Sequence, residues 1–247
     1  MDHVRVEHHE AVAVVTLVDV ERRNAMTAPM VDEIVATFDA LEGDGTTAAV
    51  VVTGEPPAFC SGADVSSLGA LARAETETER RSVTSIYEGF LRVLRSPLPT
   101  IAAVNGPAVG AGMNLALACD VRVASDDARF DPRFVKIGLH PGGGHTWLLE
   151  RVVGPQTAAA MVLFGVPVDG RRAVELGLAW SSHPPAELLP ASIGLAQGAT
   201  RAPVELLGRV KATLRSMPFQ PDFETAVATE VAAQAWSLGQ GWFGAAR

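Results

Sequence analysis

The chain has 247 residues, of which 48% are hydrophobic and 19% are charged, and its formal net charge is −8 at pH 7. A chain of this length buries about 70–75% of the surface that it exposes when unfolded, so a substantial core forms without cross-links. The acidic balance argues against a general nucleic-acid surface, because phosphate binding needs clustered Lys and Arg. No apolar run approaches the roughly 20 residues that span a bilayer, and no signal-peptide pattern opens the chain. We therefore expect a cytoplasmic protein without a membrane span.

The N-terminal part carries strand and helix signals in turn. Two β-rich runs between 4 and 18 predict a hairpin. Apolar residues at helical spacing predict a helix over 28–42, with Thr27 or Ala28 as a cap and Pro29 in the first turn. The continuous apolar, β-branched run at 48–53 is typical of a strand that is covered on both faces.

The middle of the chain continues this alternation. The charged segment 75–95 has an apolar stripe and predicts a surface helix that stops before Pro97. Apolar runs at 101–104 and 121–124 predict buried strands, and the segment 110–119 between them has helical character. The repeated order of strand, turn and helix predicts an α/β layer architecture.

The last part of the chain has a helical pattern. Helices are predicted near 186–199, 202–215 and 221–237, and no Gly/Ser linker precedes them. We therefore predict a core over 1–190 that holds the functional site and a helical oligomerisation region over 191–247. Cys60 and Cys119 have no disulfide or zinc-ligand spacing, so both are expected to be buried free thiols.

Two glycine-containing turns carry the strongest chemical signal. They span 59–64 and 106–112, and each follows an apolar strand and precedes a helix. Backbone N–H groups at the start of a helix are free to bind developing negative charge, such as that of an enolate oxygen. Neither turn has the residues of a P-loop, a nucleophile elbow or a dinucleotide fingerprint. Tight packing is the alternative use of such turns.

The surrounding motifs make the pattern specific. The segment 101–124 reads IAAVNGPAVGAGMNLALACDVRVA, and it is followed by ARF at 128–130 and IGLHPGGG at 137–144. Together with RRNAM at 22–26, FCSGAD at 59–64 and GRRAVELGL at 170–178, this run resembles the signature of the enoyl-CoA hydratase/isomerase (crotonase) family. The resemblance covers nearly the whole chain.

This resemblance implies a crotonase-like (ClpP/crotonase) α/β fold of repeated ββα units with a C-terminal helical region, assembled as a homotrimer or a dimer of trimers. It implies an acyl-CoA thioester as the partner, with coenzyme A as part of the substrate and no separate cofactor or metal. By matching motif positions, an oxyanion hole for the thioester enolate falls on the N–H groups of Ala63 and Ala111. The family usually has Gly at the second position, and Ala keeps the N–H.

Two departures from the family put plain hydration in doubt. The family's hydratases place two glutamates across the substrate, and those positions are Asn114 and Phe134 here. Neither an amide nor a phenyl ring performs general acid–base catalysis at neutral pH. Asn114 could still orient a water or a carbonyl, or it could simply bond to nearby backbone.

Other side chains are candidates for the missing acid or base. His140 and His145 bracket the Pro-Gly-Gly-Gly loop, and histidine titrates near working pH. Asp131 is a further candidate base. The alternatives are that His145 caps a helix starting near Thr146, that His140 packs against the loop or hydrogen-bonds to it, and that Asp131 is a solvated turn residue.

The resemblance also implies a set of substrate contacts. Arg22 or Arg23 is a candidate for the phosphates and adenine of coenzyme A, and Lys211 is a candidate for reaching the ligand of a neighbouring subunit, although lone surface cations are often only solvated. Asp64 and Asp120 are expected to hold turns through bonds to the backbone. The full set of expected substrate-binding positions is Arg22, Arg23, Ala25, Ser61, Gly62, Asp64, Gly110, Phe134, Gly142 and Lys211.

The sequence leaves the reaction open. The leading hypothesis is an acyl-CoA enzyme with altered acid–base groups. The alternatives are a non-catalytic acyl-CoA-binding protein and a carbon–carbon hydrolase or decarboxylase on the same scaffold. Fold alone does not choose among them.

Overall fold

The structure, a computed structural model, describes residues 3–64, 76 and 85–243. Its strands form two sheets. The larger sheet has the order β1-β2-β3-β4-β6-β9, where β1 and β2 are antiparallel and the other neighbours are parallel. Its strands are β1 (Val4–His9), β2 (Val12–Leu17), β3 (Ala49–Gly54), β4 (Thr100–Val104), β6 (Val121–Ser125) and β9 (Ser181–His183). The smaller sheet has the order β5-β7-β8 and contains β5 (Pro107–Val109), β7 (Arg129–Asp131) and β8 (Val168–Asp169).

Helices alternate with these strands and then follow them. They are α1 (Ala28–Gly43), α2 (Tyr87–Arg95), α3 (Ala111–Ala118), α4 (His145–Leu163), α5 (Gly170–Glu175), α6 (Pro185–Ala196), α7 (Val204–Ser216) and α8 (Phe223–Leu238). A short 3-10 helix also covers Phe134–Ile137. The N-terminus of α1 is capped by Thr27, whose side chain accepts a hydrogen bond from the Met30 N–H.

The central strands are buried on both faces, which explains their continuous apolar sequence. In β3, Val50 and Val52 contribute to the main hydrophobic core. Val51 faces the other way and joins a second cluster that includes Leu188 of α6. Alternate residues of one strand therefore pack into different layers, as the period of two along a strand requires.

The predicted elements of the N-terminal half are present. The hairpin over 4–18, the helix over 28–42 and the strand over 48–53 are confirmed with small shifts at their ends. Of the helix predicted over 75–95, residues 75 and 77–84 lie outside the described residues, and α2 forms its final part.

The three predicted C-terminal helices are also present, as α6, α7 and α8. The first of them, α6, spans residue 190 and packs on the large sheet. In contrast, α8 has no buried residue, and in α7 only Lys211 is buried. The division at residue 190 into a core and an oligomerisation region stays a prediction. Within the described ranges, no helix combines the length and apolar character needed to cross a membrane.

Candidate active site

The two glycine-containing turns are in direct backbone contact. Cys60 forms a parallel bridge with Ala108, and the Val109 N–H donates to the Cys60 carbonyl oxygen at 3.0 Å. Gly112 packs so closely that a Cβ atom there would lie 2.1 Å from the same carbonyl oxygen. Two segments about fifty residues apart in the chain thus meet at one place.

Gly62 lies at a second close approach between the two turns. Its φ of +104° disfavours any residue with a side chain, and an added Cβ would lie 2.6 Å from the Val109 carbonyl oxygen. The same Cβ position would be 3.6 Å from the Ala111 nitrogen. The N–H of Ala111, at the first position of α3, therefore lies beside the turn that contains Ala63.

The N–H groups of Ala63 and Ala111 do not take part in the hydrogen bonds that join the turns to other described residues. The turn at 59–64 is held to the preceding loop by the Met26 N–H, which donates to the Gly62 carbonyl oxygen at 2.8 Å. Among the hydrogen bonds between described residues, neither the Ala63 N–H nor the Ala111 N–H is a donor. Ala111 is buried and Ala63 is half-buried. The convergence of these two groups on one oxygen stays a prediction.

Asn114 and His145 form a buried side-chain pair. Asn114, in the first turns of α3, is 1% exposed, and its Oδ1 lies 2.6 Å from His145 Nδ1. Asn114 Nδ2 donates to the Gly142 carbonyl oxygen at 3.0 Å. His145 is the first residue of α4, whose N-cap is Gly144 without a side-chain cap bond. The expectation that His145 caps this helix is therefore wrong, because its ring turns inward to Asn114.

Burial controls the protonation of His145. It lowers the pKa of the imidazole to about 4, so the ring is neutral at physiological pH. The second ring nitrogen, Nε2, is buried and has no hydrogen-bond partner within the described part of the chain.

Phe134 completes this group of contacts. Its ring meets the His145 ring edge to face with centroids 5.0 Å apart. A Cβ added to Gly110 would lie 3.8 Å from the Phe134 Cζ, so the same ring is close to the start of α3. The Gly110 N–H donates to the Asp131 carbonyl oxygen at 3.0 Å. The structure thus brings Gly110, Asn114, Phe134, Gly142 and His145 together.

Asp131 differs from its sequence interpretation. It was expected as a solvated turn residue or as a base, but it ends β7 and its side chain is fully buried. Its carboxylate lies 3.4 Å from Arg129 Nη2, 3.0 Å from Arg133 Nη2 and 3.7 Å from Lys136 Nζ. The solvated interpretation is wrong, because pairing within the small sheet buries the side chain among three cations.

The two histidines of the loop have different environments. His140 is exposed, and its Nδ1 lies 2.7 Å from the carbonyl oxygen of the adjacent Pro141. It lies outside the contacts that join Asn114 and His145 in the described structure. A role for His140 stays a prediction that no contact in the group supports.

The arginine pair lies beside the first turn. The Ser61 N–H donates to the Arg23 carbonyl oxygen at 2.9 Å, and the Ser61 hydroxyl donates to the Arg22 carbonyl oxygen at 2.8 Å. Both arginine residues are exposed, and Arg22 forms an ion pair with Asp19. Ala25 and Met26, which follow Asn24, are both buried, and Met26 forms a parallel bridge with Ala63, next to the half-buried Asp64.

Lys211 does not match the expectation of a surface contact. It is 7% exposed, and its Nζ donates to the Leu98 carbonyl oxygen and lies 2.6 Å from Asp120 Oδ2. The expectation of an exposed cation is wrong, because α7 packs this side chain against the loop before β4. Asp120 holds its turn as predicted, since Oδ2 accepts from the Thr100 N–H at 2.8 Å.

Sequence reasoning missed the part played by Asn24. This residue is fully buried, and its Nδ2 donates to the Glu55 and Ala58 carbonyl oxygens at 2.8 Å each. Its φ is 56°, a left-handed conformation that Asn tolerates better than most residues. The signal was the Asn inside RRNAM, where an amide can satisfy carbonyls of a neighbouring loop.

Comparisons with known proteins identify the family of the chain. The model of the family described as enoyl-CoA hydratase/isomerase matches residues 7–234. The chain is 48% identical over 215 residues to a probable enoyl-CoA hydratase, EchA14, of Mycobacterium tuberculosis. The matched region covers 87% of this chain and 82% of that protein. An enoyl-CoA hydratase structure from Polaromonas superposes with a TM-score of 0.90 at 26% identity, covering 98% of this chain and 93% of that one.

A further solved structure contains a ligand. A putative enoyl-CoA hydratase from Thermobifida fusca, in complex with CoA, has a TM-score of 0.85 at 31% identity and covers 97% of this chain and 94% of that one.

The joined turns, the two sheets and the C-terminal helices thus define a protein of the crotonase fold, and the predicted fold class is confirmed. The chain belongs to the enoyl-CoA hydratase/isomerase family.

Proposed function

We propose that the protein is an enzyme that acts on an acyl-CoA thioester and holds the thioester carbonyl oxygen with the N–H groups of Ala63 and Ala111. The observation that carries this proposal is the contact between the two turns, which leaves both N–H groups without a partner among the described residues. The CoA complex of the Thermobifida relative supports the choice of ligand.

This arrangement suits a carbonyl oxygen that gains negative charge. The Ala111 N–H also lies at the N-terminus of α3, where the helix dipole favours an anion. One preorganised donor of this kind contributes about 2.7–4 kcal/mol to catalysis in studied enzymes. Several reactions of a thioester pass through an enolate and use stabilisation of this kind.

The coenzyme A and acyl parts of the substrate are proposed to bind to residues around the two turns. The exposed Arg22 and Arg23 are proposed for the phosphates of coenzyme A, because both lie beside Ser61. The positions proposed to line the acyl and pantetheine parts are Ala25, Ser61, Gly62, Asp64, Gly110, Phe134 and Gly142. Lys211 is not included, since its charge is paired with Asp120.

The reaction is proposed to differ from plain hydration. Asn114 and Phe134 carry no ionisable group, and the nearby carboxylate of Asp131 is paired with three cations. These observations predict a low rate of water addition to crotonyl-CoA. They also favour a second candidate, a non-catalytic acyl-CoA-binding protein. The free Nε2 of His145 favours the third, a carbon–carbon hydrolase or decarboxylase with a histidine base.

A substrate panel separates these candidates. The protein is incubated with enoyl-, dienoyl- and 3-oxoacyl-CoA thioesters, binding is followed by calorimetry and products by mass spectrometry. Binding with turnover of one class supports an enzyme, whereas binding without turnover supports the silent binder. Crotonyl-CoA hydration at ordinary enzyme rates would contradict the altered reaction. Thioesters that do not bind at all would overturn the proposed function.

Removing one donor tests the oxyanion hole. Ala111→Pro deletes the N–H at the first position of α3, where proline is tolerated in helices. We expect turnover to fall by about 10²–10³-fold. Ala111→Gly keeps the N–H and is the matched control, with turnover close to that of the wild type. Equal activity in the two variants, at equal melting temperature, would show that this N–H is not used.

We also propose a homotrimer or a dimer of trimers in the cytoplasm. Support for assembly comes from α7 and α8, which expose large apolar side chains and line grooves of about 410 and 1060 Å³. Support for the location comes from Cys60 and Cys119, both buried as free thiols, as is usual in a reducing compartment. Fractionation of the native host tests the location.

A further inference from the structure

We propose, on the basis of the acyl-CoA function above, that Asn114 and His145 act together to present the bare Nε2 of the imidazole to an O–H donor at the acyl part of the bound thioester, either its own hydroxyl or a water molecule beside it. His145 is then the residue that contacts this donor. Asn114 is a positioning residue that acts through the ring.

The orientation of the Asn114 amide follows from its second bond. Its Nδ2 lies 3.0 Å from the Gly142 carbonyl oxygen, which only accepts hydrogen bonds. The amide NH₂ therefore faces Gly142, and Oδ1 faces His145. An amide oxygen is purely an acceptor, so its contact of 2.6 Å with His145 Nδ1 requires a hydrogen on that nitrogen.

This bond selects one tautomer of His145. The ring is neutral because it is buried, and it carries its single proton on Nδ1. Nε2 is then left with a lone pair and no proton. The same logic applies wherever the bond made by one ring nitrogen sets the state of the other.

The lone pair of Nε2 is not used by any residue in the described part of the chain. Nε2 is buried and has no partner among the described residues, although buried polar atoms are nearly always hydrogen-bonded. The ring that packs against the imidazole is that of Phe134, which cannot donate a conventional hydrogen bond. A helix start that only needed a stable core would be served by an apolar residue. The unmet acceptor indicates a ligand.

The neighbourhood connects this acceptor to the proposed thioester site. The Phe134 ring touches His145 on one side and approaches Gly110, the residue before Ala111, on the other. Asn114 lies on the same helix as Ala111, three residues further on. An acyl chain whose carbonyl oxygen lies at Ala111 would therefore run beside the pair.

The chemistry of the donor follows from the state of the ring. A bare Nε2 accepts a hydrogen bond from a hydroxyl and repels another acceptor such as a carbonyl oxygen. A 3-hydroxyacyl thioester and a water molecule held beside the acyl chain both supply this O–H donor. The two sources differ in whether affinity depends on the acyl hydroxyl.

The test compares 3-hydroxybutyryl-CoA with butyryl-CoA by calorimetry, in the wild type and in His145→Leu. If the hydroxyl is the donor, the wild type binds the hydroxylated thioester about 5- to 150-fold more tightly. This factor is the cost in affinity when a buried acceptor is left without its hydrogen bond. His145→Leu removes this preference. His9→Leu, on the exposed strand β1, is the matched control and keeps it.

If water is the donor, both thioesters bind alike, and His145→Leu lowers enoyl-CoA turnover at unchanged affinity. Either result supports the acceptor role. Equal binding of both thioesters with unchanged turnover in His145→Leu would overturn it while leaving the acyl-CoA function intact. A failure of every thioester to bind would instead overturn the proposed function itself.

The positioning role of Asn114 has its own readout. Nitrogen NMR of labelled histidine in the wild type is expected to show a proton on Nδ1 and none on Nε2 of His145. Asn114→Leu is expected to mix the tautomers, and Asn114→Asp to restore the single one, because a carboxylate also accepts from Nδ1–H. A proton on Nε2 in the wild type would overturn the proposal even if the variants do not fold.

Discussion

Gly112 lies where α3 crosses the turn at Cys60, and no side chain fits between the two backbones. An added Cβ would lie 2.1 Å from the Cys60 carbonyl oxygen, which cannot move without disturbing the bridge to Ala108. The absence of one methyl group thus sets how closely the two turns approach. The same closeness places the Ala111 N–H beside the turn that holds Ala63.

Gly112→Ala is expected to destabilise the protein by about 2 kcal/mol or more, because overpacking forces backbone to shift. Denaturant unfolding measures this change. The control is Gly194→Ala in α6, where an added Cβ meets nothing within 4 Å. The free energy of unfolding of that variant is expected to be unchanged or to rise by up to about 1 kcal/mol, since Ala is the better helix former. A harmless Gly112→Ala would contradict the close contact.

His145 gives the fold a particular dependence on pH. The pKa of this residue is lowered from 6.5 to about 4 by burial. The unfolded chain therefore binds a proton between these values while the folded chain does not. The resulting stabilisation, measured as the free energy of unfolding, is fully present above about pH 6.5. It falls by on the order of 3 kcal/mol as the pH falls toward about 4.

This contribution is measured by unfolding the wild type and His145→Leu in urea at about pH 7 and about pH 4.5. The wild type is expected to lose more stability on acidification than the variant does. His9→Leu, an exposed histidine variant, should behave like the wild type. Parallel losses in all three proteins would show that His145 titrates normally in the fold.

At the scale of elements, α7 is tied to the core by charges as well as by Val204, which packs against the main core. Lys211 is its buried residue, and it pairs with Asp120 at 2.6 Å. Arg215, one turn further on, lies 2.9 Å from the other oxygen of Asp120 and also donates to the Leu94 carbonyl oxygen. The loop at Asp120 is in turn bonded to Thr100 at the start of β4. One carboxylate, that of Asp120, thus pairs with two cations of the helix.

Lys211→Met tests this attachment. It leaves the Asp120 carboxylate with fewer partners, and a loss of about 2 kcal/mol or more in unfolding free energy is expected. Arg172→Met removes the exposed ion pair with Glu175 and is the matched control, with an expected change within about 1 kcal/mol. Similar effects of the two substitutions would mean that the buried pair does not anchor α7.

At the scale of the whole molecule, the C-terminal helices leave an apolar surface uncovered. Leu214 is 67% exposed, Phe223 is 77% exposed and Val231 is 56% exposed. Leu214 and Val231 line the same groove between α7 and α8. Exposed apolar surface of this extent is typical of a face that is covered by another chain.

The proposed assembly predicts a melting temperature that rises with protein concentration, because association stabilises the folded chain. Analytical ultracentrifugation of the wild type is expected to show a trimer or a hexamer. Leu214→Glu combined with Val231→Glu is expected to shift the protein to monomers. Val20→Glu, at an exposed apolar residue outside these helices, is the control and should leave the assembly unchanged. A monomeric wild type at all concentrations would contradict the assembly.

Local features of the fold could be predicted because they depend on neighbours in the chain. The β-branched run that became β3, the cap at Thr27 and the helical spacing of α1 each follow from residues a few positions apart. Motifs such as RRNAM and FCSGAD, taken together, indicated the family. They also indicated which two turns would matter, since glycine permits a closer approach of one backbone to another than any other residue does.

The partners of the polar side chains were decided by the tertiary structure. Nothing in the sequence indicates that Asn114 would meet His145, that Asp131 would be buried among three cations, or that Lys211 would pair with Asp120. A periodic pattern indicates which face of an element is apolar, but it does not indicate which element will cover that face. Contacts between distant segments arise only when helices and strands pack, and the charge and proton state of each group at the site depend on those contacts.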